Sequence, residues 1–184
     1  MTPRPTKVAS RRPLTRLAIA GLGGHLAFEL GAGVGLPVSG VVGAGPSAIG
    51  FAATMGAGFH HAGRLGPKGD LAFSLANGLG VAAVASHLLA WPRRRTRLGI
   101  PWLVDCEGLG PELMRWYNPL LYGPGAIAAL ALATENRSTS RRPALLFAAA
   151  LVPVLVPLQR LDFESRQRRA ASRPDRWHRR LRRT

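Results

Sequence analysis

Apolar residues in this chain fall into five long runs, 17–37, 40–59, 71–91, 117–133 and 144–158, separated by short polar connections. A hydrocarbon core about 30 Å thick takes about 20 apolar residues of helix at about 1.5 Å each. The first run, LAIAGLGGHLAFELGAGVGLP, and the third, LAFSLANGLGVAAVASHLLAW, are each 21 residues long. The second is rich in Gly and broken by Pro46, and the last two are shorter and carry prolines. Five such runs in 184 residues leave too little polar chain to cover them in water. The pattern predicts an all-α, multi-pass integral membrane helical bundle, with about four transmembrane helices plus one re-entrant or half-buried segment.

Charge sharpens this picture. The net charge is +16, and the 25 basic residues, nearly all Arg, concentrate in residues 1–16, 93–97 and 160–184. Between Leu17 and Gly63 there is no Lys or Arg, and Glu29 is the only acid. The chain therefore divides into a basic arm (1–16), a membrane domain (17–159) and a basic tail (160–184). Trp91, Trp102, Trp116, Tyr117 and Tyr122 cluster between the third and fourth runs, where amphipathic rings favour the headgroup level, so residues 92–117 are expected to lie along the interface.

Orientation follows from where Lys and Arg gather in short connections. Five crossings with the N-terminus inside would put most basic residues outside. Four crossings put most of them inside with both termini cytoplasmic, whether the segment that fails to cross is 40–59 or 144–158. The RRRTR that follows Trp91 favours an inside end for the third run, and hence a non-crossing 40–59; Pro153 and Pro157 favour the other choice. The first arrangement is preferred, at the inner membrane of a bacterial cell, since a high Arg to Lys ratio with much Ala and Gly suits a GC-rich genome. SRRPLTR, 10–16, looks like a twin-arginine export signal, but ionisable residues in the following apolar run and the lack of a small-residue cleavage site make it a cytoplasmic flank.

The tail has too few apolar residues to build a core and is expected to be disordered. Its arginines, Arg168, Arg169, Arg179 and Arg180 among them, suit anionic lipid headgroups; beside a membrane domain that reading outweighs nucleic acid. Glycines at helical spacing, including the GxxxG of Gly31 and Gly35 and the small surfaces of Gly21, Gly40, Gly43 and Gly80, allow close helix approach. They leave room for a membrane-protein partner but point first to packing within the chain.

Candidate chemistry sits in few places. His25 and Glu29 share one helical face inside an apolar run, where ionisable groups must meet something other than lipid. Asn77, Gly80, Val84 and His87 form a stripe on the third run that is expected to supply partners. Asp105 and Glu107 flank Cys106, the only cysteine, which is open to use as a nucleophile with His87 as base, although charge balance for RRRTR explains these acids more simply. Asp70 fits a helix N-cap. No metal site is assigned, because the adjacent His60 and His61 lack ligand spacing; the cofactor stays open. Without any catalytic spacing, the first expectation is a non-catalytic membrane component packing with lipids or partner proteins. The alternative is a membrane-embedded enzyme or transporter for a lipid or polar solute, using His25, Glu29, His87, Asp105 and Glu107.

Overall fold

The computed structural model describes residues 11–182; the first ten residues of the basic arm and the last two of the tail lie outside that range. Six α-helices carry most of the chain: α1 (Pro13–Ala32), α2 (Ser39–Val42), α3 (Ala44–Ala62), α4 (Asp70–Ala90), α5 (Gly110–Thr134) and α6 (Ser138–Ser172). Strands β1 (Arg93–Arg95) and β2 (Pro101–Leu103) form a small antiparallel hairpin with Arg94 opposite Trp102. Short 3₁₀ turns precede α4 (Pro67–Gly69) and end the described chain (Arg176–Arg182). The fold is thus mostly helical, consistent with all-α, and two of its helical stretches, Pro67–Ala90 and Ser138–Ser172, are long and apolar enough to cross a membrane.

Contacts at the helix ends fix the direction of each helix. Arg12 reaches Asp70 at 3.2 Å, and Glu135 accepts from the Leu14 and Thr15 amides at 2.6 and 3.0 Å. The starts of α1 and α4 therefore share one end with the close of α5. The Arg16 guanidinium lies 4.1 Å from the centre of the Phe59 ring, which brings the close of α3 to the same end. At the far end Arg166 donates to the Val34 carbonyl, Arg160 to the Ala90 carbonyl, and Asn118 bonds the backbone of Leu103 in both directions. The five long helices run alternately up and down. Below, the two ends are called the Arg12 end and the Trp91 end.

Both segments weighed as non-crossing, 40–59 and 144–158, are largely helical. Residues 44–59 are not broken: α3 is a continuous helix of 19 residues, about 28 Å long, lying antiparallel along α1. Pro46 sits in its first turn, where a missing amide hydrogen costs nothing. Nor does 144–158 stop short, because α6 continues through Pro153 and Pro157, both of which point away from the bundle. Five alternating helices place Arg12 and the described part of the tail at opposite ends of the bundle.

Residues 92–117 are also shorter as a connection than expected. They hold the hairpin, and α5 already begins at Gly110. The aromatic cluster is partly a packing device, with Trp91 edge-on to Phe163 at 5.3 Å and Tyr122 donating to the Pro101 carbonyl. The tail forms helix instead of free chain. Residues 160–172 complete α6, and Arg176–Arg182 turns back so that His178 and Leu181 are buried. Its arginines explain the order. Arg179 and Arg180 donate to Gly31 and Ala32, satisfying orphan carbonyls left where α1 ends, while Arg169 donates to the Val41 carbonyl in α2 and Arg180 also to Leu109, just before α5. The fourth arginine expected to meet lipid headgroups, Arg168, lies exposed beside Glu164.

Helix contacts pass through small residues. A methyl group at Gly78 would stand 2.8 Å from the Ala144 carbonyl oxygen, and one at Gly80 would stand 3.2 Å from the Ala128 methyl. Gly21 faces Pro124, Gly125 faces Val84, and Gly40 lies on the α6 backbone at Ser165. Gly31 of the GxxxG pair has no such neighbour, and Gly35 serves instead a left-handed turn (φ 81°) under His178. The densest apolar packing, around Val34, Leu103, Leu109, Met114, Tyr117 and Leu181, lies at the Trp91 end. That packing backs the site.

Candidate functional site

Three helices and one connection converge near the Trp91 end. His25 and Glu29 lie on the last two turns of α1, His87 on the last turn of α4, and Tyr117 early in α5. A sharp turn with positive φ at Glu107 and Gly108 swings the connection inward, so that Cys106 and Glu107 are buried while Asp105 remains exposed. Asp105 and Glu107, expected to act together, therefore part company. Glu29 is 2% exposed and His25 4%, which is possible only because each has a partner.

The bonding is a chain. His25 Nε2 lies 3.1 Å from Glu29 Oε1, Tyr117 Oη donates to the same oxygen at 3.1 Å, and the Cys106 thiol donates to Tyr117 Oη at 3.6 Å. His87 Nδ1 lies 2.7 Å from the Ala83 carbonyl, an acceptor, and 3.1 Å from the Gln159 amide nitrogen, a donor; the shorter contact favours the proton on Nδ1, which leaves the lone pair on Nε2. Behind this group Arg166 forms a two-pronged pair with Glu107 at 2.9 and 3.3 Å and reaches Asp162 at 3.1 Å. Sequence reading missed Arg166, Asp162 and Tyr117. The i, i+4 spacing of Asp162 and Arg166 is a weak helical signal, and only the fold brings the pair beneath Glu107.

Asn77 is not the partner of His25 and Glu29. It donates to Thr15 Oγ1 (3.0 Å) and Asn136 Oδ1 (3.1 Å), closing a separate clasp at the Arg12 end. Asp70 belongs to that clasp too. It caps no amide of its own helix; its carboxylate takes Arg12, Asn136 and the Arg137 amide. The His25–Glu29 pair lies nearer one end than mid-helix, since α1 closes at Ala32. His60 and His61 are exposed with ring centres 5.4 Å apart, and no third donor joins them among the described residues.

From the polar group a cleft of about 390 Å³ runs between the helices toward Asn77. Its walls are almost wholly apolar: Ile19 and Leu22 from α1, Val84 from α4, Leu121 from α5 and Leu155 and Leu158 from α6. His25, Glu29, His87, Glu107, Gln159 and Asp162 close one end. On α1 and α4 the lining extends over twelve residues each, Ala18–Glu29 and Ala76–His87, or about 16 Å. A narrow apolar slot with a charged floor suits an amphiphile.

The thiol expected as a possible nucleophile is badly placed for that role. Burial, then the charge of Glu107, pushes Cys106 well above the usual thiol range, against a smaller opposing effect of Tyr117. Its hydrogen bond goes to Tyr117, not to His87. In the folded protein Cys106 is expected to react with a maleimide roughly a hundredfold more slowly than after denaturation. Labelling at equal rates in both states would mean that the connection is open. The chain matches no known family, no curated protein and no solved structure.

Proposed function

We propose that this chain is a multi-pass membrane protein, and specifically an enzyme that takes a lipidic amphiphile into the cleft with its polar end against His25, Glu29 and His87. Support for the lipid setting comes from an inverted distribution of side chains. Ile49, Leu146, Val154 and Leu158 lie exposed, while Arg12, Glu29, Asn77, Asn118 and Arg166 lie buried. In water the large exposed apolar area would drive aggregation; in lipid it is the expected outer face. Among the described residues the Trp91 end carries nearly twice as many Lys and Arg as the Arg12 end, which favours a cytoplasmic Trp91 end and tail at the inner membrane.

The cleft with its polar floor is the observation that carries the catalytic reading. Buried titratable groups at the closed end of an apolar slot are where proton transfer is most easily arranged. His87 Nε2 offers a base, and the Glu29–His25 pair can hold or release a proton beside it. A second reading, a clasp with no turnover, draws support from the saturation of Glu29 and Glu107 by Tyr117, His25 and Arg166.

A fatty acid bearing a diazirine in its chain tests the proposal. Irradiated with the full-length chain in nanodiscs, it should label Leu22, Val84 and Leu121, and Leu158→Trp at the cleft mouth should remove that labelling. Label confined to the outward-facing Ile49, Leu130 and Leu146 would overturn the cleft as a binding site. Recovery of every supplied phospholipid and fatty ester unchanged, with the cleft labelled, would leave the clasp reading in place of catalysis.

A further inference from the structure

The same polar centre has the makings of a metal site, and the argument for it rests on donor geometry, independently of the amphiphile. One donor atom each from His25, Glu29 and His87 lies within 4.8 Å of the other two. Around an ion with ligand bonds near 2.1 Å, donors stand up to about 4 Å apart, so small side-chain rotations close the set. A second trio, His87, Cys106 and Glu107, is equally close and shares His87. Three further observations point to a ligand. His25 Nδ1 is buried with no hydrogen-bond partner, in a residue only 4% exposed. His87 is held through Nδ1, 2.7 Å from the Ala83 carbonyl and 3.1 Å from the Gln159 amide, and the shorter bond favours an Nε2 lone pair, the outer-shell arrangement that metal-bound imidazoles use. The charges do not balance either. Glu29, Glu107 and Asp162 crowd one fixed cation, Arg166, so two carboxylate charges lack a permanent counter-ion.

We propose that His25, Glu29 and His87 bind one divalent first-row transition metal ion of the zinc class, with Glu107 and Cys106 flanking the open side. Two imidazoles and one carboxylate suit zinc or iron(II) and disfavour magnesium and calcium, which take oxygen ligands. Tyr117, donating to Glu29, and the Ala83 carbonyl, bound by His87, hold the ligands from behind. The ion would stand at the floor of the cleft, facing the apolar slot, and with it bound the His87 Nε2 lone pair is a ligand and no longer a base.

The test uses the full-length chain in detergent, stripped with chelator and dialysed against micromolar Zn²⁺ or Co²⁺. Bound metal is read by mass spectrometry of the acid-digested protein and by the visible spectrum of Co²⁺. One equivalent is expected, with absorption bands of low-coordinate cobalt. His87→Ala and Glu29→Gln should each reduce retention at least tenfold, while the exposed double variant His60→Ala/His61→Ala should keep it. Leu158→Trp should also keep it, so failure of amphiphile binding and failure of metal binding are read separately. Wild-type protein that takes up no metal, retention by both His87→Ala and Glu29→Gln, or loss from the His60/His61 variant would each overturn the proposal. Should His87→Ala fail to fold, Glu29→Gln, which preserves size and hydrogen bonding, decides with the wild-type stoichiometry.

Discussion

Arg166→Ala is expected to destabilise the protein by about 3–5 kcal/mol, the usual cost of removing one partner from a buried ion pair. Arg166 is 1% exposed: Nη1 and Nη2 pair with Glu107, Nη1 also donates to the Val34 carbonyl, and Nε stands 3.1 Å from Asp162 as an ion pair without a hydrogen bond. Without it Glu107 stays in the interior with no cation, and the turn after α1 loses a tie to α6. Thermal unfolding in detergent, followed by circular dichroism, reads the effect. Arg166→Met combined with Glu107→Gln should recover much of the loss, because the stranded charge is removed with its partner. If Arg166→Ala melts within a degree or two of wild type, the buried pair is not holding the Trp91 end together.

The second large effect is expected at Gly78. A methyl there would meet the Ala144 carbonyl oxygen at 2.8 Å, a backbone atom that cannot swing aside, so Gly78→Leu must separate α4 from α6. Overpacking of this kind costs about 1–3 kcal/mol and sometimes more, and α4 and α6 form the most extensive helix pair in the molecule. Gly56→Ala is the control. Gly56 has no atom near the methyl position, and replacing a mid-helix glycine by alanine gains about 0.5–1 kcal/mol. Equal melting temperatures for Gly78→Leu and Gly56→Ala would mean that the α4–α6 contact is looser than described.

These two residues mark what sequence reading reached and what it did not. Each of the five apolar runs became a long helix, because hydrophobic clustering along the chain is a local property. His25 and Glu29 were legible for the same reason: four residues apart on one helix, they meet whatever the fold does. Gly78 was passed over in favour of the GxxxG motif, since spacing identifies small residues without saying which of them faces a neighbour. Arg166 was unreadable in a tail whose composition resembles solvated chain. Its partners are 59 residues away at Glu107 and 132 away at Val34, and no local pattern encodes those meetings. Pro46 misled in a different way. A proline breaks a helix only in the interior, and sequence did not fix where α3 begins.

The route taken by α6 bears on how the protein is made. Glu29, Glu107 and the close of α1 are synthesised well before Arg166, Arg179 and Arg180, which complete them. While the ribosome is still elongating, the acidic centre has no arginine to meet. It can assemble only after Arg166, Arg179 and Arg180 have emerged, so until then the polar interior must stay hydrated or be shielded by other proteins.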